Sequence, residues 1–217
     1  MRQTNLLEID HIYLYSHKNV LIEQSKVHNN FADDGLNIKN AIVQINKSEF
    51  FSNFADQIDL DYTDALINNS SFTSSVKDLN GDGLDLSGSK AVVMNSSFDN
   101  FSDKGISVGE NTQIFIFNNN FKNNRSAVTG KDESKLYFYE NNYFDNIIDI
   151  EAYVKKPIFN SPSLFIVNED YSMKKINIKD NTSLYILEAD TDVNLDIGAE
   201  IFDNLIKYNW QKATLND

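Results

Sequence analysis

Apolar and polar residues alternate along this chain in short runs that return at a nearly fixed interval. Leu36, Ile58, Leu84, Ile106, Val128 and Ile150 open triplets such as LNI, IDL and LDL, and are separated by 22, 26, 22, 22 and 22 residues. A second series closes each unit on an aromatic: Phe50, Phe72, Phe98, Phe121 and Phe144, separated by 22, 26, 23 and 23 residues. Both series lengthen at one place, so an insertion of four residues lies between Phe72 and Leu84, in TSSVKDLNGDG. A period of two predicts strands, because successive strand side chains point to opposite faces. Several short strands in a repeat of about 22 residues predict coils that stack and bury their inward side chains on one another.

The expected fold is therefore all-β: a right-handed parallel β-helix, a solenoid of about seven or eight coils, with the two series above as inward columns. Val20, Ile22 and Val27 in NVLIEQSKV, with Ile12 and Leu14 before them, match later coils and read as one more turn of the stack. Asparagine recurs three residues before the aromatic, at Asn69, Asn95, Asn118 and Asn141, with Lys47 in the first copy. This predicts a column of turn residues whose amides bond from coil to coil. Beyond Ile150 the pattern blurs, and from Ile197 to Gln211 it changes period: Ile201, Leu205, Ile206 and Trp210 fall at helical spacing. The expected division is a β-helix over residues 1–195 and a C-terminal segment, 196–217, whose helix caps the open end of the stack.

Composition narrows the chemistry. The chain has 217 residues, no cysteine and a formal charge of -13. Thiolate chemistry is excluded, and a nucleic-acid partner is not expected, since a phosphate backbone calls for clustered Lys and Arg. No apolar run is long enough to span a membrane. Only two prolines and eight glycines exclude a collagen-like or linker character.

The acids are not spread evenly. With Ile58 and Leu60 inward, Asp59 and Asp61 point outward, and Leu84 and Leu86 likewise turn Asp85 and Ser87 outward. The stacking register reads Asn37, Asp59, Asp85, Ser107, Thr129, Glu151 one step into the strand. It reads Lys39, Asp61, Ser87, Gly109, Lys131, Tyr153 three steps in, and Asp34, Asp56, Asp82, Lys104 two steps before it. Coils about 4.8 Å apart make Asp59 and Asp85 neighbours. Like charges at that separation either keep a proton on one carboxyl or recruit a cation.

The NSSF, NNNF and NNYF turns, with the DQIDLD, NGDGLDLSGS, DKGISVGE and AYVKKP segments, resemble the right-handed parallel β-helix repeat proteins of the pectin-lyase-like superfamily over about residues 10 to 160. The resemblance implies a groove for a polysaccharide along one sheet, in an extracellular or cell-surface setting. Of the polygalacturonase motifs, Asn80, Gly81 and Asp82 resemble the first, NTD; the paired acids, HG and RIK have no counterpart.

Three readings of the acidic face follow. As an enzyme of lyase, epimerase or glycoside hydrolase type, Asp59, Asp61, Asp85 and Lys104 are the candidate catalytic residues. One acid is then a general acid beside a base or nucleophile, or calcium on Asp59, Asp61 and Asp85 acidifies a uronate with Lys104 or Lys131 as base. As a binding module, the same ledge holds the polysaccharide through Asp56, Asp82, Tyr62, Lys131 and Tyr153. As a non-catalytic structural or adhesion segment of a larger surface protein with flanking domains, the acids form a solvated face that discourages sheet-to-sheet pairing. His11, His17 and His28 are dispersed and form no zinc spacing.

Overall fold

The computed structural model describes residues 12–15, 19–31, 33–75, 81–167, 175–187, 201–206 and 211–213. These residues build the expected right-handed parallel β-helix, with three sheets running along the stack.

Sheet A stacks eight strands: β1 (Ile12–Tyr15), β4 (Leu36–Lys39), β7 (Ile58–Asp61), β10 (Leu84–Ser87), β13 (Lys104–Gly109), β16 (Ser126–Lys131), β19 (Ile148–Tyr153) and β21 (Ile176–Ile178). Sheet B holds β2 (Asn19–Glu23), β5 (Ile42–Asn46), β8 (Asp64–Asn68), β11 (Lys90–Met94), β14 (Gln113–Phe117), β17 (Lys135–Tyr139), β20 (Ser163–Val167), β22 (Ser183–Leu187) and β23 (Gln211–Ala213). Sheet C holds β3 (Lys26–His28), β6 (Glu49–Phe51), β9 (Ser71–Thr73), β12 (Ser97–Asp99), β15 (Asn120–Lys122) and β18 (Asn142–Phe144). Every pairing is parallel except that of β22 with β23.

The core is the set of inward columns. Leu36, Ile58, Leu84, Ile106, Val128 and Ile150 are all buried, and Leu84 lies opposite both Ile58 and Ile106. Val20, Ile22 and Val27 pair with Val43, Ile45 and Phe50, and Ile12 with Leu36, so the first described strands are a further coil. In sheet C the rings of Phe50, Phe72, Phe98 and Phe121 stack at centroid distances of 5.1, 4.6 and 5.2 Å.

The last member of that column is a correction. Phe121 lies opposite Tyr143, whose ring stacks on it at 5.4 Å, while Phe144 is turned out to solvent. The cause is one extra residue at the corner after β13. The corner after β10 has a single left-handed residue, Gly88, whereas the next has two, Glu110 and Asn111, and so does the one after that, Asp132 and Glu133. The spacing therefore grows once and then returns to 22.

The asparagine column divides into two. Lys47, Asn69, Asn95, Asn118 and Glu140 take the left-handed backbone at the corner, and Asn141 is not among them. The residues that follow, Ser48, Ser70, Ser96, Asn119 and Asn141, are buried. The oxygens of the last four accept the corner N–H of the preceding coil, from Ser48 to Ser70 Oγ (3.2 Å) through Asn119 to Asn141 Oδ1 (3.0 Å). A buried N–H without a partner would cost about 1–3 kcal/mol, so this inner ladder lets the chain turn away from the sheets without orphaned donors.

The C-terminal helix, α1, spans Ile201–Ile206 and does not lie over the end of the stack. Ile201 packs on the outer face of sheet B with Val92, Phe115 and Tyr137, and the end of sheet B is closed by β23 pairing antiparallel with β22. The helix goes where apolar surface is outward: the outward column Val92, Phe115, Tyr137, Phe165 would otherwise face water. Leu205 and Trp210, expected on its apolar face, lie outside the described side chains, as do insertion residues 76–80.

Candidate functional site

The site lies on the outer face of sheet A, where β4, β7, β10, β13, β16 and β19 run side by side. The predicted register holds: Asp59 is opposite Asn37 and Asp85, Asp85 is opposite Ser107, and Asp61 is opposite Lys39 and Ser87. Side chains at alternate positions emerge on this face because Ile58, Leu60, Leu84 and Leu86 are committed to the core.

Just before these strands, Asp34, Asp56, Asp82 and Lys104 form a second ladder. Asp34 Oδ1 accepts the Asp56 N–H at 3.1 Å, Asp56 Oδ1 accepts the Asp82 N–H at 2.6 Å, and Asp82 Oδ1 accepts the Lys104 N–H at 3.0 Å. This fixes each carboxyl group at the mouth of its strand. It also brings one carboxylate oxygen from each of Asp56, Asp82 and Asp85 within 4.8 Å of the others. Oxygens that share a calcium ion lie 2.3–2.6 Å from it and so at most about 5 Å apart, and among the described residues this trio is the group of acids close enough together to do so.

Of the expected calcium ligands, Asp85 belongs to that trio. Asp59, on the coil of Asp56 and directly opposite Asp85, lies outside the trio and is held by the Asn37 amide at 2.5 Å, and Asp61 is ion-paired with Lys39.

The electrostatics follow from burial and crowding. Burial, then the charge of Asp82, pushes the Asp56 carboxyl up to about 9, so it carries a proton at neutral pH. Burial followed by Asp61 and Asp85 pushes Asp59 up to about 7. Asp82 is pushed up to about 6, burial prevailing over the opposing Lys104.

Cations border the acids on the C-terminal side. Lys104 is buried, with Nζ bonded to Asp103 and 3.4 Å from Asp82 Oδ1. Lys131 is also buried. Its Nζ donates to Ser107 Oγ at 2.7 Å and lies 3.8 Å from Asp85 Oδ1. Arg125 also joins this border. Its guanidinium lies 3.4 Å from Asp103 and 3.6 Å from Glu151. Asp103 is the link that column reasoning missed, because it sits one residue ahead of the column that holds Lys104.

Tyr153 is half-buried at the far end of this border, its hydroxyl pushed up by burial and influenced by Lys104 and Glu151. Tyr62 is on another edge, at the corner between sheets A and B, 62% exposed. The two tyrosines stand four coils apart, about 19 Å, and do not form one clamp. His28 stacks on Phe51 at 4.6 Å in sheet C and takes no part in the acidic ledge.

Comparison with known proteins gives a family and little else. The family model described as "Right handed beta helix region" matches residues 10–183. No curated protein matches the chain. Among solved structures the chain is similar to HetL, a pentapeptide repeat protein involved in heterocyst differentiation regulation from the cyanobacterium Nostoc sp. strain PCC 7120. That likeness has 9% identity over 63% of this chain and 84% of that one, with a TM-score of 0.14, and carries no argument.

Proposed function

Since the chain belongs to the right-handed β-helix family, we propose that it is a carbohydrate-associated protein which binds a polysaccharide along the outer face of sheet A, with a calcium ion on Asp56, Asp82 and Asp85. The observation that supports this most is the convergence of those three carboxylates within 4.8 Å, bordered by the buried amines of Lys104 and Lys131. A calcium ion there would offset the crowding that raises Asp56, and would present its remaining coordination positions to a sugar hydroxyl or uronate. Lys131, Lys104 and Arg125 offer donors beyond it for an anionic or hydroxyl-rich chain.

Turnover at the same place would take one of two forms. A protonated Asp56 beside an ionised acid has the makings of an acid and base pair for glycoside hydrolysis. Alternatively, cation-assisted proton abstraction from a uronate would use Asp59 or a lysine at the margin as base, giving lyase or epimerase chemistry. The setting that suits such a protein is extracellular or at a cell surface.

One observation favours a second reading, a non-catalytic structural or adhesion segment of a larger surface protein with flanking domains. Asp34, Asp56 and Asp82 already have a structural task as acceptors for backbone N–H groups.

The deciding experiment incubates the protein with neutral and uronate polysaccharides, with calcium or with chelator, and follows both binding and the release of reducing or unsaturated ends. Calcium-dependent retention that Asp85→Asn abolishes supports the binding reading, and product formation adds turnover. If calcium neither raises the melting temperature nor changes retention of any polysaccharide, the calcium-assisted reading is wrong. If none is retained or cleaved under either condition, the structural reading stands.

A further inference from the structure

We infer that Tyr62 and Gly88 form a sugar-stacking platform at the corner between sheets A and B, separate from the acidic trio, whose ligand is the C–H face of a pyranose ring. The inference deepens the polysaccharide reading above and rests on it.

Two observations carry it. The first is backbone strain at an exposed residue. Tyr62 has φ of 54° and is the only aromatic among the described non-glycine residues with positive φ. A bulky side chain in the left-handed region costs about 1–3 kcal/mol, and such a cost is usually tolerated where the surroundings fix the residue in the core. Tyr62 is instead 62% exposed. The same corner position holds Asn40 in the preceding coil and Gly88 in the following one, the residue types that take this conformation readily. An asparagine would turn the chain here at less cost than a tyrosine.

The second is the fit of the ring to its neighbour. A Cβ added to Gly88 would lie 2.7 Å from two ring carbons of Tyr62. The Cδ1–Cε1 edge of the ring is therefore in close contact with the glycine, and most of the tyrosine is left to solvent. Around it is a groove of about 640 Å³ whose lining includes Asn19, Asn40, Asp64 and Lys90, with Ile42 as an apolar member.

A flat aromatic face ringed by amide, carboxylate and ammonium groups is matched to a ligand with an apolar face and an equatorial ring of hydroxyls, which is the chemistry of a pyranose. Neutral and uronate sugars share that face. Gly88 is three residues beyond Asp85 along the chain, about 10 Å, so one short oligosaccharide would reach from the platform to the acidic trio.

The test measures affinity of the intact chain for soluble xylan, β-glucan and galactomannan, and for polygalacturonate and alginate with calcium. Wild type, Tyr62→Phe, Tyr62→Asn and Gly88→Asn are compared, each with its thermal midpoint. Truncating a stacked aromatic anchor removes upwards of about 1.4 kcal/mol, or about tenfold in affinity. Tyr62→Asn is expected to lose at least that much while its midpoint is equal to or above that of wild type, because strain is relieved. Tyr62→Phe should bind as wild type does. Gly88→Asn keeps the tyrosine but pushes the ring aside, and should also weaken binding. Which sugars show the loss tells whether the platform serves the neutral or the uronate class. If a polysaccharide binds and Tyr62→Asn binds it equally well, the platform is refuted while the acidic-face reading survives; if no polysaccharide binds wild type, both fall. A midpoint that drops in Tyr62→Asn would show that the tyrosine is there for packing, and overturns the inference too.

Discussion

Replacing Asp56 by asparagine isolates the cost of crowding acids on sheet A. In the folded protein burial and the neighbouring Asp82 push the Asp56 carboxyl up to about 9, against an ordinary value of 3.8. Between those two values the folded state holds a proton that the unfolded chain has released. The unfolded state thus binds fewer protons, and stability falls as pH rises through the window. The contribution is fully present below the ordinary carboxyl value and is lost progressively towards pH 9. Each pH unit within it is worth about 1.4 kcal/mol. Asparagine keeps Oδ1 as acceptor for the Asp82 N–H and has no proton to lose, as Asn124 and Asn146 illustrate in a neighbouring ladder. From pH 6 to pH 8, in chelator, wild type should lose about 3 kcal/mol relative to Asp56→Asn. At 2–4 °C per kcal/mol for a chain of this size, that is about 6–12 °C in midpoint. Thermal unfolding followed by circular dichroism at half-unit pH steps measures it. Parallel curves for the two proteins, or a variant less stable at every pH, would refute the account of Asp56 as a buried, protonated acid.

Three further outcomes are expected. Calcium should raise the wild-type midpoint more at pH 8 than at pH 6, since binding must displace the Asp56 proton, and Asp56→Asn and Asp85→Asn should each reduce that response; calorimetry in two buffers of different ionisation heat would detect the released proton. Phe72→Ala removes a fully buried ring stacked between Phe50 and Phe98 and should cost about 3–5 kcal/mol, read as a fall of at least about 6 °C in midpoint. Asn119→Ala strips the acceptor from the Ser96 N–H and the donor from Val93 O, at about 1–3 kcal/mol for each group left bare; Asn119→Ser should be milder in chemical denaturation, since Ser48, Ser70 and Ser96 occupy the same column.

The stack was legible in the sequence because both of its determinants are periodic. Side chains alternate by two and coils return by about 22, so positions such as Leu84 and Ile106 identify each other without any other information. Errors arose where two neighbouring residues were both compatible with a column. Tyr143 and Phe144 are adjacent aromatics, and only the doubled corner at Glu110 and Asn111 decides between them. In Asn118–Asn119 and Glu140–Asn141 one residue turns the backbone while the next bonds the neighbouring coil, and composition alone merges the two tasks. The acidic face was legible as a neighbourhood: the register of Asp59 with Asp85 follows from counting. Its internal partners were not, because Lys131 reaches Ser107 and Asp85 along its own length, and Arg125 reaches Asp103 and Glu151, through rotamers that no spacing rule encodes.

The aspartates therefore answer to two requirements that can be separated. Backbone closure explains why positions 34, 56 and 82 each carry a short side chain with an acceptor oxygen. It does not explain why that side chain is charged. Asn124 and Asn146 close the corners before β16 and β19 with amides, at no electrostatic cost. Asn30 and Asn53 hold that same inner ladder on earlier coils, and in a separate column at the mouth of the strands three successive coils use aspartate, with Asp59, Asp61 and Asp85 a few ångströms along the same face. Lys39, Lys104 and Lys131 compensate Asp61, Asp82 and Asp85 in part, and Asp56 is left with burial and like charge as its largest influences. Carboxylates in place of isosteric amides lower stability at neutral pH, so the ladder alone would favour asparagine at position 56. The cation proposed for Asp56, Asp82 and Asp85 would make use of that negative charge, and on that proposal Asp56, two steps ahead of the strand column, stands at the centre of the site.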